Sequence, residues 1–202
     1  ALPILNNEVN SKYDVTDLTS LEKLEPVRVR PGMYIGSTGT KGLHHCIWEI
    51  LDNSIDEISN GFGDKATIII NKDKSVTVID NGRGIPTGIH PVKKKSGVEM
   101  VFTELHTGGK FDNKNYKTSG GLHGVGAAVV NALSKWLEVE VHQNGKIYKQ
   151  RFEYAYDKEL KKDMPGTAVT ALEVVGKAND TGTRVTFKPD NEIFSTTDFK
   201  FD

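Results

Sequence analysis

The sequence predicts an α+β fold, a largely antiparallel sheet covered by helices on one face, and three features of the chain lead there. Over residues 44–60 apolar side chains recur at helical spacing, with Ile47, Leu51, Ile55 and Ile58 on one side. Two β-rich runs, 66–70 and 75–80, flank the turn sequence NKDK, the signature of an antiparallel hairpin. After residue 134 the chain alternates as short strand-like runs, without the intervening helices that a parallel sheet requires.

The elements follow in order. Residues 1–15 are polar and aperiodic, an arm that needs a partner to become ordered, and residues 16–202 read as one domain. A short helix is predicted over 17–24, and Pro26 with the RPG at 30–32 marks a loop before the long helix. Residues 81–126 are rich in glycine and polar side chains, a length that in a compact domain signals a functional lid or a disordered segment; an apolar helix interrupts them at 98–106. A helix at 127–134 is followed by strands at 137–143, 146–154, 168–175 and 183–188.

Composition narrows the class. A chain of 202 residues, 37% hydrophobic and 26% charged, can bury one substantial core. Its net charge of -1 gives no global attraction for nucleic acid, so any DNA role comes from elsewhere; Lys93, Lys94 and Lys95 read as a solvated loop tip. The single cysteine, Cys46, excludes an intrachain disulfide and a zinc finger and fits a reducing compartment. No basic leader or membrane-length apolar run is present, so the expectation is a cytoplasmic protein without a membrane partner. The end at FSTTDFKFD, just after a strand-like segment, suggests a fragment of a longer protein.

The opposite stripe of the long helix carries His45, Glu49, Asp52, Asn53 and Asp56. Glu49 and Asn53 lie one turn apart, which sets a carboxylate able to activate water beside an amide oxygen able to ligate Mg²⁺. His45, one turn before Glu49, can orient or polarise that carboxylate. Alone, such a stripe is more often a solvated face; the later motifs reverse that balance.

Asp80 closes a strand and opens DNGRGIP, in which Gly82 and Gly84 allow close approach of a ligand and Pro86 fixes the exit. A carboxylate there only accepts hydrogen bonds, which suits the exocyclic amino group of adenine; Thr183, in TGT, can donate to the neighbouring ring nitrogen. The run Gly120, Gly121, Leu122, His123, Gly124, Val125, Gly126 leads directly into a helix, so several backbone amides converge where phosphates could sit. Lys110, after a glycine pair, adds a positive charge on a hinged loop, and Tyr116 is a further contact candidate. No P-loop or Rossmann spacing occurs, so the nucleotide site is of another type, and the histidines form no zinc-binding pattern.

Together, ExxDN at 49–53, DxGxGxP at 80–86, GGLHGVG at 120–126 and TGT at 181–183 resemble the four boxes of the GHKL ATPase superfamily. VRVRPGMYIG, GLHH, IPTGIHP, LHTGGKF and SGGLHGVGAAVVNALS narrow the resemblance to the ATPase domain of bacterial type II topoisomerase B subunits, of gyrase or topoisomerase IV. Several segments, LEPVR, SNGFGD, SKWLEVE and YKQRFE, look more like the topoisomerase IV branch. The resemblance implies the Bergerat fold, a two-layer α/β sandwich with an eight-stranded, mixed, mostly antiparallel sheet and helices on one face. It implies ATP and Mg²⁺ as cofactors and ATP-driven DNA strand passage as the activity. Glu49 would be the general base, supported by His45, and Asn53 the Mg²⁺ ligand. Asp80 and Thr183 would bind adenine, Arg83 and Pro86 would wall the rim, and Lys110 with the lid from Gly120 to Gly126 would hold the phosphates. Tyr13 matches an arm tyrosine that reaches the partner's nucleotide in a homodimer. An A-type subunit in a heterotetramer, DNA through modules outside this chain, and coumarin-type inhibitors are the implied partners.

Two departures qualify the match. Lys149 is placed at the pocket edge, where an arginine is usual, which predicts weaker coumarin binding because lysine lacks bidentate and stacked contacts. The transducer domain that the resemblance implies, with its lysine to the γ-phosphate, would lie beyond residue 202, which predicts feeble turnover by this chain. Competing readings are another GHKL class, such as a mismatch-repair ATPase or a chaperone, and a non-catalytic interaction module that would not bind ATP saturably.

Overall fold

A computed structural model describes residues 20–105 and 126–200. The sheet begins at the expected hairpin: β1, Ala66–Ile70, pairs antiparallel with β2, Val76–Asp80, through a turn in which Lys74 takes a positive φ of 66°. After two helices, α4 at Gly97–Thr103 and α5 at Gly126–Ala132, the chain forms β3 (Ser134–Gln143) and β4 (Lys146–Asp157). It continues through β5 (Lys162–Ala168), β6 (Glu173–Lys177) and β7 (Gly182–Pro189). The order is β1-β2-β7-β3-β4-β5, with β6 also pairing along β4.

Every pairing among the described residues is antiparallel and the strands number seven, where an eight-stranded mixed sheet is implied by the resemblance. The reason is topological. The helical crossover from β2 to β3 leaves those two strands running parallel, but β7 inserts between them and pairs antiparallel with both.

Alternation along the strands separates the two faces. Val76 and Val78, Leu137, Val139 and Val141, Phe152, Val185 and Phe187 are buried against Leu43, Cys46 and Ile50 of α3 (Thr40–Ser59), and against Val98 and Phe102 of α4 and Val129 of α5. The opposite face bears charge: Glu138 pairs with Lys149 at 2.9 Å and with Arg151 at 3.4 Å. This is the predicted two-layer arrangement, helices packed on one apolar sheet face.

Several local expectations are corrected. The described part of the helix expected at 17–24 is not helical; instead α1 forms at Glu25–Val29 and α2 at Gly32–Ile35. Pro26 and Pro31 start these helices rather than breaking them, since the first turn needs no proline N–H. β5 is unforeseen because Pro165 interrupts its pattern, and it lies at the sheet edge, where a missing donor is tolerated. The strand expected at 168–175 shifts to β6. On α3 the buried stripe is Leu43, Cys46, Ile50, Leu51 and Ser54, whereas Ile55 is 43% exposed and Asp56 is 6% exposed, so both lie on faces opposite to those predicted.

Candidate nucleotide site

The site forms where the C-terminal ends of β2 and α3 meet the start of β7. Asp80 is the last residue of β2 and faces Thr183 across the β2-β7 ladder. One carboxylate oxygen, Oδ2, accepts a hydrogen bond from Ser54 Oγ at 2.8 Å. The other, Oδ1, accepts from the Gly82 amide at 2.9 Å and the Thr183 amide at 3.3 Å. Three of the roughly four acceptor positions of a carboxylate are therefore filled, and the group is fixed in orientation. Thr183 Oγ1 accepts from the Ile85 amide at 3.2 Å, which leaves its own proton to be donated. A pocket wall thus presents a rigid acceptor beside a hydroxyl donor, the pattern that complements an amino group next to a ring nitrogen.

Gly84 turns the loop back along the sheet. Its φ is +83°, and a Cβ there would lie 2.9 Å from Val141 Cγ1 and 3.1 Å from the His142 carbonyl. Only glycine combines that conformation with that approach. Gln143 ties the loop from outside, donating from Nε2 to the carbonyls of Arg83 and Gly84, both at 3.2 Å. Pro86 is exposed on the loop, with its carbonyl packed on Gly97 at the start of α4.

The second wall is the polar stripe of α3. His45 Nε2 lies 2.8 Å from Glu49 Oε1, and the Glu49 side chain is 17% exposed. A single contact of this kind orients a carboxylate without satisfying it. Asn53 Nδ2 points to the Glu49 carbonyl at 3.5 Å, one turn along the helix. Gly126, the first residue of α5, packs directly on the Glu49 carboxylate, and any Cβ there would overlap Oε2. The end of the glycine run is thereby brought to the candidate base. Cys46, on the buried side of the same turn, is inert: burial and the nearby Glu49 charge push its thiol up to about 12.

Two residues missed in the sequence complete the junction. Ser54 locks Asp80, and Glu57 binds Arg83 through the Arg83 amide at 3.1 Å, Nε at 3.0 Å and Nη2 at 2.7 Å. The Arg83 guanidinium also lies 3.6 Å over the Phe62 ring. Glu57 sits at the next turn of the Glu49–Asn53 stripe, so its spacing was a usable signal. Lys149 is not at the pocket edge: it lies on the charged face, next in sequence to Tyr148, three strands from Asp80 in register. The side chain that reaches the Arg83–Gly84 loop is instead that of Gln143. The predicted contacts Tyr13, Lys110 and Tyr116, and those from Gly120 to Val125, lie outside the described residues, as does the arm at 1–15.

Among the described residues, no group of three or more His, Cys, Asp or Glu side chains is placed to hold a metal ion. No described helix is long and apolar enough to cross a membrane.

Residues 38–193 match the family described as histidine kinase-, DNA gyrase B- and HSP90-like ATPase. The B subunit of DNA topoisomerase 4 from Staphylococcus epidermidis is 55% identical over 193 residues, 95% of this chain and 27% of that protein. The B subunit of DNA gyrase from Thermotoga maritima is 54% identical over 188 residues, 93% of this chain and 28% of that protein. The chain therefore spans little more than a quarter of these relatives. The crystal structure of the 43K ATPase domain of Thermus thermophilus gyrase B in complex with an aminocoumarin superposes with a TM-score of 0.72 and 44% identity, covering 88% of this chain and 42% of that one. The chain belongs to the histidine kinase-, DNA gyrase B- and HSP90-like ATPase family, as an ATPase domain of the type that the B subunits of topoisomerase IV and gyrase carry.

Proposed function

We propose that this domain binds ATP with Mg²⁺ and hydrolyses it to drive DNA strand passage by a type II topoisomerase of which it is the B-subunit part. The observation that carries the proposal is the Asp80 carboxylate, held by Ser54, Gly82 and Thr183 with acceptor capacity left over and a hydroxyl donor beside it. Asp80 takes the adenine amino group and Thr183 donates to the adjacent ring nitrogen. Arg83, Gly84 and Pro86 form the mouth.

The donor chemistry on α3 fits a nucleotide-borne Mg²⁺. A cage of carboxylates is absent among the described residues, and Mg²⁺ characteristically takes one or two protein oxygens plus phosphates and water. Asn53 would offer its amide oxygen. When bound, the ion would neutralise charge on the phosphate oxygens. Glu49, oriented by His45, holds the proton taken from the attacking water, and Gly126, lacking a side chain, leaves room for its carboxylate. Lys110, Tyr116 and the residues Gly120, Gly121, Leu122, His123, Gly124 and Val125 are proposed to enclose the phosphates. Tyr13, in an arm spanning 1–15, is proposed to reach the nucleotide of a second copy.

In the longer protein, an A-type subunit and DNA would be the partners, and an aminocoumarin would compete at the pocket mouth. The isolated chain is expected to bind nucleotide but turn it over slowly. Calorimetric titration with a non-hydrolysable ATP analogue and Mg²⁺, wild type against Asp80→Asn, tests this: saturable binding weakened roughly 100-fold by the substitution is expected, and absence of binding to the wild type would overturn it.

A further inference from the structure

The outer edge of the site carries an ionic cluster that none of the nucleotide motifs includes. His142, near the end of β3, lies directly opposite Gly182 on β7. Its Nδ1 is 2.6 Å from Asp180 Oδ1, and its Nε2 is 3.1 Å from Glu140 Oε1. A neutral imidazole has one N–H and can donate to only one of two carboxylates; only the imidazolium satisfies both. Asp180 precedes the Thr181-Gly182-Thr183 turn. Gly182 there has φ +151° and packs so closely on the Asp80 carbonyl that no side chain would fit, and the Thr183 amide donates to Asp80 itself.

We propose that His142, as an imidazolium bridging Glu140 and Asp180, is a positioning residue that holds the Thr181–Thr183 turn against Asp80. It acts through Asp180 on the orientation of Thr183 and touches no ligand. The inference rests on the adenine role assigned to Asp80 and Thr183. The charged neighbours on the flanking strands are Lys149 and Arg184, both opposite Glu140, and Lys149 is engaged with Glu138. The remaining charges that meet the imidazole are the two carboxylates. In keeping with this, the Asp180 hydrogen bond, opposed by partial burial and reinforced by Glu140, raises the His142 imidazole above its ordinary range. A raised histidine contributes its stabilisation in full below the unfolded value, and loses it as pH rises through the folded value. The latch is therefore closed below the ordinary histidine value and opens as pH rises through the raised value of His142.

The test has two arms. In the protein without ligand, amide exchange at Thr183 is followed by NMR from pH 6 to 9 in wild type, His142→Gln and Asp180→Asn, beside the titration of the His142 ring in the two proteins that keep it. Protection that falls in the wild type as His142 deprotonates, and is low and independent of pH in both variants, is expected; identical protection in all three overturns the proposal. In the second arm, affinity for the non-hydrolysable ATP analogue is measured over the same range. The phosphates of the analogue titrate too, so the readout is the difference between wild type and His142→Gln. Exposed ion pairs of this kind correspond to about a two- to fivefold change. Wild type is expected to bind more tightly at pH 6.5 and to converge on the variant at pH 9; a constant ratio across the range would overturn the latch. If the wild type binds no analogue, the adenine assignment fails while the exchange arm still decides whether His142 holds the turn.

Discussion

The two walls of the pocket are built differently. At the strand tip, Asp80 accepts three hydrogen bonds from three separate segments, and Thr183 and Gln143 fasten the adjoining loop. On α3, Glu49 meets one histidine nitrogen and Asn53 a single distant carbonyl. The first arrangement is a rigid template for recognition, its orientation settled by folding rather than by the ligand. The second keeps acceptor atoms uncommitted, as a group that must take up a proton or an ion requires. On the proposed function, binding and chemistry fall to different elements, and substitutions can separate them.

The largest separation is expected at Glu49. Glu49→Gln keeps the shape and the contact with His45 but cannot accept a proton, so single-turnover hydrolysis should fall by about 10²- to 10⁴-fold with analogue affinity within a fewfold of wild type. Loss of binding in parallel would erase the distinction between the walls. Asp80→Asn should do the reverse, lowering affinity by roughly 100-fold, because the amide sets its NH₂ group either against the amino group of the base or against the amides of Gly82 and Thr183. Gly126→Ala comes next: its methyl would displace the Glu49 carboxylate, and turnover should drop about tenfold while adenine recognition persists.

A corner remote from both walls gives a smaller effect. Burial alone would raise the Asp157 carboxyl, but Lys23 and the amides of Leu160 and Glu159 outweigh it and hold it below the usual carboxylate range. A depressed carboxyl contributes stability above its unfolded value, near about 3.9, and loses it as pH falls through the lower folded value. Asp157→Asn should therefore cost no more than about 1 kcal/mol at neutral pH, since Lys23 is a third exposed and screened, and nothing at strongly acid pH. Urea melts at neutral pH and at about pH 2 would show it. The smallest effect is at Lys149: Lys149→Arg should change aminocoumarin affinity less than about twofold, because its side chain lies on the other sheet face with Glu138.

These residues also show what the sequence could and could not disclose. The β1-β2 hairpin and α3 follow from periodicity, and the His45–Glu49–Asn53 contacts from i,i+4 spacing, because all are local. Ser54 was hidden because its partner, Asp80, is 26 residues away and serine in a helix has no signature of its own. Lys149 was misplaced for a related reason: strand order and face are set by pairing, which puts Lys149 three strands from Asp80 and on the charged sheet face. On α3, Ile55 and Asp56 exchange their expected faces because packing of Leu43, Cys46, Ile50 and Leu51 in the core sets the rotation of the helix, which also brings Ser54 to Asp80. β5 was lost to Pro165, which local pattern treats as a breaker although an edge strand accepts it.

The most direct test of the locked wall is competition between adenine and hypoxanthine forms of the same non-hydrolysable triphosphate, measured calorimetrically with Mg²⁺. The two differ in the group that faces Asp80, an amino donor in one and a carbonyl acceptor in the other. A site built to receive that donor should reject the hypoxanthine form by at least about 100-fold. Equal affinities would mean that Asp80 does not read the base, and that its three hydrogen bonds serve only the fold.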